Sequence, residues 1–262
     1  MNHTLLTILG IAFIFIMTTL GSALIYVFRK KISEKTNTIF LGFASGIMIA
    51  ASIWSLIIPS IEESSSLGSF AFVPAAVGII LGALFLVLLD KVVPHMHGGT
   101  KLIEGPNVSI KKTTKLFLAI TIHNIPEGLA VGFAFGVAFS IGTDLAYISA
   151  LGLALGIGIQ NFPEGAAVSL PMYTETGSKN KSFLYGTLSG AVEPIFAVLG
   201  FFLAAKIEML QPWLLSFAAG AMLFVVIEDL LPDARIDEHP HLGTWSMIAG
   251  FIVMMILDVA LG

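Results

Sequence analysis

The chain has 262 residues, of which 56% are apolar and 11% charged, and its mean hydropathy is +0.93. A soluble domain carries about 25% charged residues, so this composition excludes an ordinary soluble globule and points to the bilayer. The net charge of −4 decides little, whereas the absence of cysteine excludes disulfides and thiolate sites and leaves imidazole, carboxylate, amide or water to hold any metal.

A helix needs about 20 apolar residues to cross the hydrocarbon core. Eight runs qualify, in chain order 4–28, 39–60, 70–90, 114–138, 144–172, 183–204, 212–231 and 242–261. The first has no basic residue before it and a basic cluster after it, the reverse of a secretory signal, so it is expected to remain as an uncleaved span. The linkers are short, and only 91–113 has room for a feature of its own. No barrel-like polar alternation is present, so helices must satisfy the backbone in lipid. The expectation is an all-α integral membrane protein, a single transmembrane domain over 1–262 surrounded by membrane lipid, with no nucleic-acid partner.

Basic residues orient the spans. Arg29, Lys30, Lys31 and Lys35 follow the first span. Lys91, Lys101, Lys111, Lys112 and Lys115 flank or occupy the loop after the third, Lys179 and Lys181 follow the fifth, and Arg235 follows the seventh. Twelve of the 13 basic residues thus share one side, with Lys206 opposite. Lys and Arg excess marks the cytoplasmic face. Both termini are therefore expected outside a cell (inner or plasma) membrane, with 91–113 inside.

Glu127, Glu164 and Glu193 lie deep within apolar runs, while Asp90, Glu228, Asp229 and Asp258 lie nearer span ends. A charge at the bilayer centre costs roughly 2.5–3.5 kcal/mol on the mildest scale. Protonated glutamates bonded across the bundle are the plain alternative for any one of them. Three glutamates accompanied by amides and a histidine favour a cation.

Spans four and five carry an internal repeat: HNIPEGLAV at 123–131 and QNFPEGAAV at 160–168 share six of nine positions. Residues i and i+4 share a helical face, so His123 and Glu127 point one way, as do Gln160 and Glu164. Asn124 and Asn161 sit about 100° around, on the shoulder of that face. Pro126 and Pro163 remove backbone donors beside these side chains, and Gly128 and Gly165 admit a neighbouring backbone. At about 1.5 Å per residue, His123 lies about 12 Å from Lys115, and Glu164 and Glu193 fall in a similar layer, where carriers place substrate. One imidazole, one amide oxygen and two carboxylates suit Zn²⁺ or Fe²⁺ better than Mg²⁺ or Ca²⁺. Glu193, Asn124 and Asn161 could form a second position, bridged to the first by Glu127 and Glu164.

These residues closely resemble the ZIP family of zinc and iron transporters, and the length resembles its compact, bacterial GufA-like branch. The resemblance spans the whole chain and rests chiefly on the repeated H/Q-N-x-P-E-G pair. It implies import of a divalent metal into the cytoplasm, zinc foremost, with Cd²⁺, Fe²⁺ or Mn²⁺ also as substrates. It further implies a 3+2+3 arrangement, helices 1–3 and 6–8 forming an inverted repeat around helices 4 and 5, and a homodimer. By the same resemblance His123, Glu127, Gln160 and Glu164 are the transport site, and Asn124, Asn161 and Glu193 belong to a second metal position with both glutamates shared. Asn161 is neutral where some relatives are acidic, which makes that position less anionic. Gln160 replaces a histidine found in many relatives, and a single imidazole weakens strict zinc selectivity.

Relatives also often carry metal-binding histidines after span three. Here Asp90, His95 and His97, with Glu228 at the cytoplasmic end of span seven, are candidates to receive metal leaving the membrane; a solvated polar loop is the alternative. Two other classes compete. An intramembrane metallohydrolase would commonly show H-E-x-x-H, but only one deep histidine is present. A proton-coupled carrier of organic solutes would need the carboxylates, but not histidine and amides at matched helical positions.

Overall fold

A computed structural model describes residues 2–27, 33–92, 95–96, 103–104, 112–234 and 239–261. Among them are eight helices long and apolar enough to cross a membrane: α1 (His3–Val27), α2 (Glu34–Glu63), α3 (Phe72–Leu89), α4 (Phe117–Ile141), α5 (Asp144–Tyr173), α6 (Lys179–Lys206), α7 (Glu208–Leu230) and α8 (His241–Leu261). Each overlaps a run expected from the sequence, with ends that differ by up to five residues. Between α3 and α4, His95–Met96 pairs antiparallel with Ile103–Glu104.

Local chemistry sets the connections around the middle pair. Gly142, at φ 74°, lets the chain turn abruptly after α4. Thr143 then caps α5, its side chain accepting from the Ala146 N–H, which satisfies one of the orphaned amides of the first turn. At the other end Gly177 adopts the left-handed conformation, and the Ser178 hydroxyl caps α6. The helix of α5 runs on past the span to Thr176, so two-residue connections join α4 to α5 and α5 to α6 and turn each antiparallel to the one before.

The closest pairings are α1 with α5, α4 with α6, α2 with α8, and α3 with α7. Exchanging α1–α3 for α6–α8 and α4 for α5 maps this set onto itself, as an inverted repeat around a central pair requires. Glycines permit each pairing. A β-carbon at Gly21 would meet the Phe162 carbonyl of α5, one at Gly132 the Ala197 carbonyl of α6, one at Gly46 the Met247 carbonyl of α8, and one at Gly82 the Phe217 carbonyl of α7. In lipid, helix association rests on such backbone approach rather than on hydrophobic burial. The result is two four-helix groups, α1/α4/α5/α6 and α2/α3/α7/α8. They meet where α2 and α8 pass α5 and where α4 passes α7.

Two widened turns interrupt this regularity. Ser52–Ile57 in α2 and Val226–Leu230 in α7 are π-helical. Each ends just before a proline, Pro59 and Pro232 respectively. Proline offers no N–H and collides with the carbonyl four residues back, and the extra residue in the preceding turn accommodates it. These turns change which side chains face inward.

Candidate metal site in the membrane core

The repeated motif brings its polar residues to one buried layer. On α4, His123, Asn124 and Glu127 are buried; on α5, so are Gln160, Asn161 and Glu164; on α6, Glu193 has no exposed surface at all. Gln160 Nε2 donates to Glu127 Oε1 at 2.6 Å and lies 3.3 Å from Asn161 Oδ1. Glu127 lies within electrostatic reach of both Glu164 and Glu193. Asn124 donates through Nδ2 to the Ser189 carbonyl at 2.9 Å, which turns its oxygen away from that bond.

The motif glycines have a particular use here. A β-carbon at Gly128 would overlap the carbonyl of Glu193, and one at Gly165 would overlap the carbonyl of Thr18 on α1. Gly128 thus seats α6 beside the cluster, and Gly165 seats α1. Thr18 completes the contact by donating its hydroxyl to Glu193 Oε1 at 2.7 Å.

What distinguishes the cluster is its surplus of acceptors. Asn124 Oδ1, Glu127 Oε2, Gln160 Oε1, Glu164 Oε2 and Glu193 Oε2 are all buried without a hydrogen-bond partner in the described structure, against one unpartnered amide donor, Asn161 Nδ2, whose side chain lies beside Glu127 and Glu193. Among the described residues, no lysine or arginine pairs with any of the three glutamates. A buried polar atom without a partner costs about 1–3 kcal/mol, and more if charged, so five in one layer are a load that protons on the carboxylates or a bound cation would relieve. Among the described residues no three His, Cys, Asp or Glu side chains form a metal-binding group by themselves. Any metal held here would therefore need amide oxygens from Asn and Gln, hard donors, beside the carboxylates and the single imidazole.

The cytoplasmic candidates fare differently. The side chains of Asp90 and His95, and all of His97, lie outside what is described. Glu228 is exposed, whereas its neighbour Asp229 is buried and sets Oδ2 2.9 Å from His123 Nε2. Both residues lie in the widened turn of α7, where regular helical spacing does not decide which of the two faces inward. Pro232, three residues beyond Asp229, is the one local sign of that turn in the sequence. Near the opposite end of the bundle, Ser55 in the other widened turn donates to Asp258 Oδ1 at 2.8 Å. Thr18 was not identifiable from sequence, since a threonine in an apolar run reads as ordinary helix packing.

Eight membrane-crossing helices around a buried cluster of polar side chains define a multi-pass membrane protein. A family model for the ZIP zinc transporter matches residues 107–258. The chain is 38% identical to human zinc transporter ZIP11, covering 97% of each. It is 37% identical to zinc transporter ZIPB of Bordetella bronchiseptica, over 99% of this chain and 82% of that one, and 34% identical to zinc transporter GufA of Myxococcus xanthus, over 94% of each. The chain belongs to the ZIP zinc transporter family.

Proposed function

We propose that this protein imports a divalent transition metal, zinc foremost, into the cytoplasm through the layer formed by α4, α5 and α6. The observation that carries this reading is the set of five buried acceptor oxygens on residues of the repeated motif and Glu193. Metal transport is the function named for its relatives ZIP11, ZIPB and GufA.

In this reading His123, Glu127, Gln160 and Glu164 hold the transported ion. Two carboxylates neutralise a dication, and removing those charges lowers the cost of crossing the low-dielectric core. Glu193, Asn124 and Asn161 form the second position with Glu127 and Glu164 shared. Asn161, neutral where some relatives carry an acidic residue, makes this position less anionic than theirs. Cd²⁺, Fe²⁺ and Mn²⁺ fit the same mixed donor set less selectively. The distribution of Lys and Arg supports both termini outside, and the family resemblance supports inward movement. Metal would leave past Asp229 toward Asp90, His95, His97 and the exposed Glu228.

His123 imposes a chemical condition on binding. A hydrogen bond between Nε2 and Asp229 Oδ2 needs a proton on Nε2, because an ionised carboxylate is only an acceptor. A metal taking that nitrogen must displace both the proton and Asp229. Binding through Nε2 would therefore break a contact between the two four-helix groups, whereas binding through Nδ1 would keep Asp229 as the partner of the imidazole.

The test is initial flux in proteoliposomes reconstituted with the purified protein, for Zn²⁺, Cd²⁺, Fe²⁺ and Mn²⁺ at several pH values. Saturable uptake of Zn²⁺, with the other ions competing, is expected. Absence of flux for all four ions in a folded, reconstituted sample would overturn the assignment.

A further inference from the structure

Under the inverted repeat, α1 corresponds to α6 and α4 to α5. Gly128 of α4 seats the backbone of Glu193 on α6, and Gly165 of α5 seats the backbone of Thr18 on α1. The two glycines are the same position of the repeated motif. Thr18 therefore stands in α1 where Glu193 stands in α6, and the two symmetry-related side chains meet directly at 2.7 Å. One half of the repeat supplies a carboxylate to the cluster, and the other supplies a neutral hydroxyl.

The hydroxyl has one proton and two acceptors near it, Glu193 Oε1 at 2.7 Å and the Ile14 carbonyl one turn back at 3.3 Å. Distance assigns the proton to Glu193. Oε1 is thereby engaged on one lone pair, and Oε2, buried without a hydrogen-bond partner in the described structure and beside Asn161, is the oxygen freer to meet an ion. The surroundings leave this pair little latitude. A β-carbon at Gly190 would sit 2.9 Å from Glu193 Oε1 and 2.8 Å from Thr18 Cγ2, so any larger residue there would force the two side chains apart. Thr18 itself is fully buried, so water cannot replace the bond from bulk.

We infer that Thr18 is a positioning residue for metal transport: its hydroxyl fixes the Glu193 carboxylate so that a single oxygen faces the second metal position, and thereby sets that position's affinity. This rests on the proposed role of Glu193 in the second position. The inference makes α1, which contributes no ligand of its own, part of the apparatus that determines how tightly substrate is held.

Thr18→Val keeps the shape and removes the hydroxyl; Thr18→Ser keeps the hydroxyl and removes a methyl. Zn²⁺ titration of the purified protein and the concentration dependence of Zn²⁺ flux are measured for both, for Glu193→Gln, and for the Thr18→Val/Glu193→Gln double variant. A hydrogen bond to a charged group is worth roughly a factor of ten or more in equilibrium. Thr18→Val should therefore raise the half-saturating Zn²⁺ concentration about tenfold and weaken binding of the second equivalent, with maximal flux changing less. Thr18→Ser should restore wild-type behaviour, and the double variant should match Glu193→Gln alone. Wild-type behaviour of Thr18→Val beside an impaired Glu193→Gln would overturn the role of Thr18 while leaving the second position intact. A further loss in the double variant would make Thr18 merely structural, which also overturns it. A wild-type Glu193→Gln would remove the second position and the inference together.

Discussion

Replacing Asp229 with alanine should make the protein less stable without metal yet bind Zn²⁺ more tightly. The two side chains are buried, with Asp229 Oδ2 2.9 Å from His123 Nε2. Loss of a buried, charge-assisted hydrogen bond costs about 2 kcal/mol. For a chain of this size that corresponds to a fall in Tm of roughly 4–8 °C. A metal bound through His123 Nε2 has already displaced Asp229, so the same energy is absent from that state. The binding equilibrium should then shift by up to roughly thirtyfold toward the metal, since about 1.4 kcal/mol is a factor of ten. Release should slow correspondingly, lowering maximal flux. The assay is thermal unfolding of the detergent-solubilised protein with and without Zn²⁺, alongside Zn²⁺ titration. Binding weakened tenfold or more with the metal-free Tm unchanged would refute the reasoning, because Asp229 would then be a ligand and not a competitor for His123.

Other outcomes follow from the same geometry. Glu228→Gln should leave Zn²⁺ affinity at wild type, because its exposed side chain does not share the buried position of its neighbour; titration under the conditions used for Asp229→Ala decides this. Gly46→Val forces side-chain atoms against the Met247 carbonyl where α2 meets α8; overpacking of this kind costs about 1–3 kcal/mol, read as a lower Tm, while bound Zn²⁺ per folded chain should be unchanged. Cysteines placed at Asn2 and Lys101 should react with impermeant reagents from opposite faces of intact cells, Asn2 from outside; labelling of position 101 from outside would invert the topology and the direction of transport. Replacing His95 and His97 together by alanine should slow transport without abolishing it, and complete loss in a well-folded sample would place the principal site in that loop.

The features legible in the sequence are those governed by one-dimensional rules. Span length, charge asymmetry and the i, i+4 spacing of His123 with Glu127 and of Gln160 with Glu164 follow from the bilayer and from the regular α-helix. The repeat of N-x-P-E-G on two neighbouring spans is itself enough to mark the cluster. Regular helical periodicity could not place Asp229, because the widened turn at Val226–Leu230 breaks the 100° step on which facing depends. Nor could it place Thr18, whose importance lies in a hydrogen bond to a residue 175 positions away. The motif indicates that Gly128 and Gly165 admit a neighbour, and the fold supplies the neighbours: Glu193 for one and Thr18 for the other. Tertiary pairing, and local departures from ideal helix beside proline, are what the linear pattern leaves out.

The central claim is that the buried acceptors of α4, α5 and α6 carry the transported ion. The most direct measurement is bound Zn²⁺ per chain and initial Zn²⁺ flux, determined on one reconstituted preparation of Glu127→Ala beside wild type, with folding checked by size-exclusion and Tm. The account predicts a folded variant that retains little of the bound metal and none of the flux. A well-folded Glu127→Ala protein that binds and carries Zn²⁺ at wild-type levels would contradict it and leave the cluster a structural feature of the bundle.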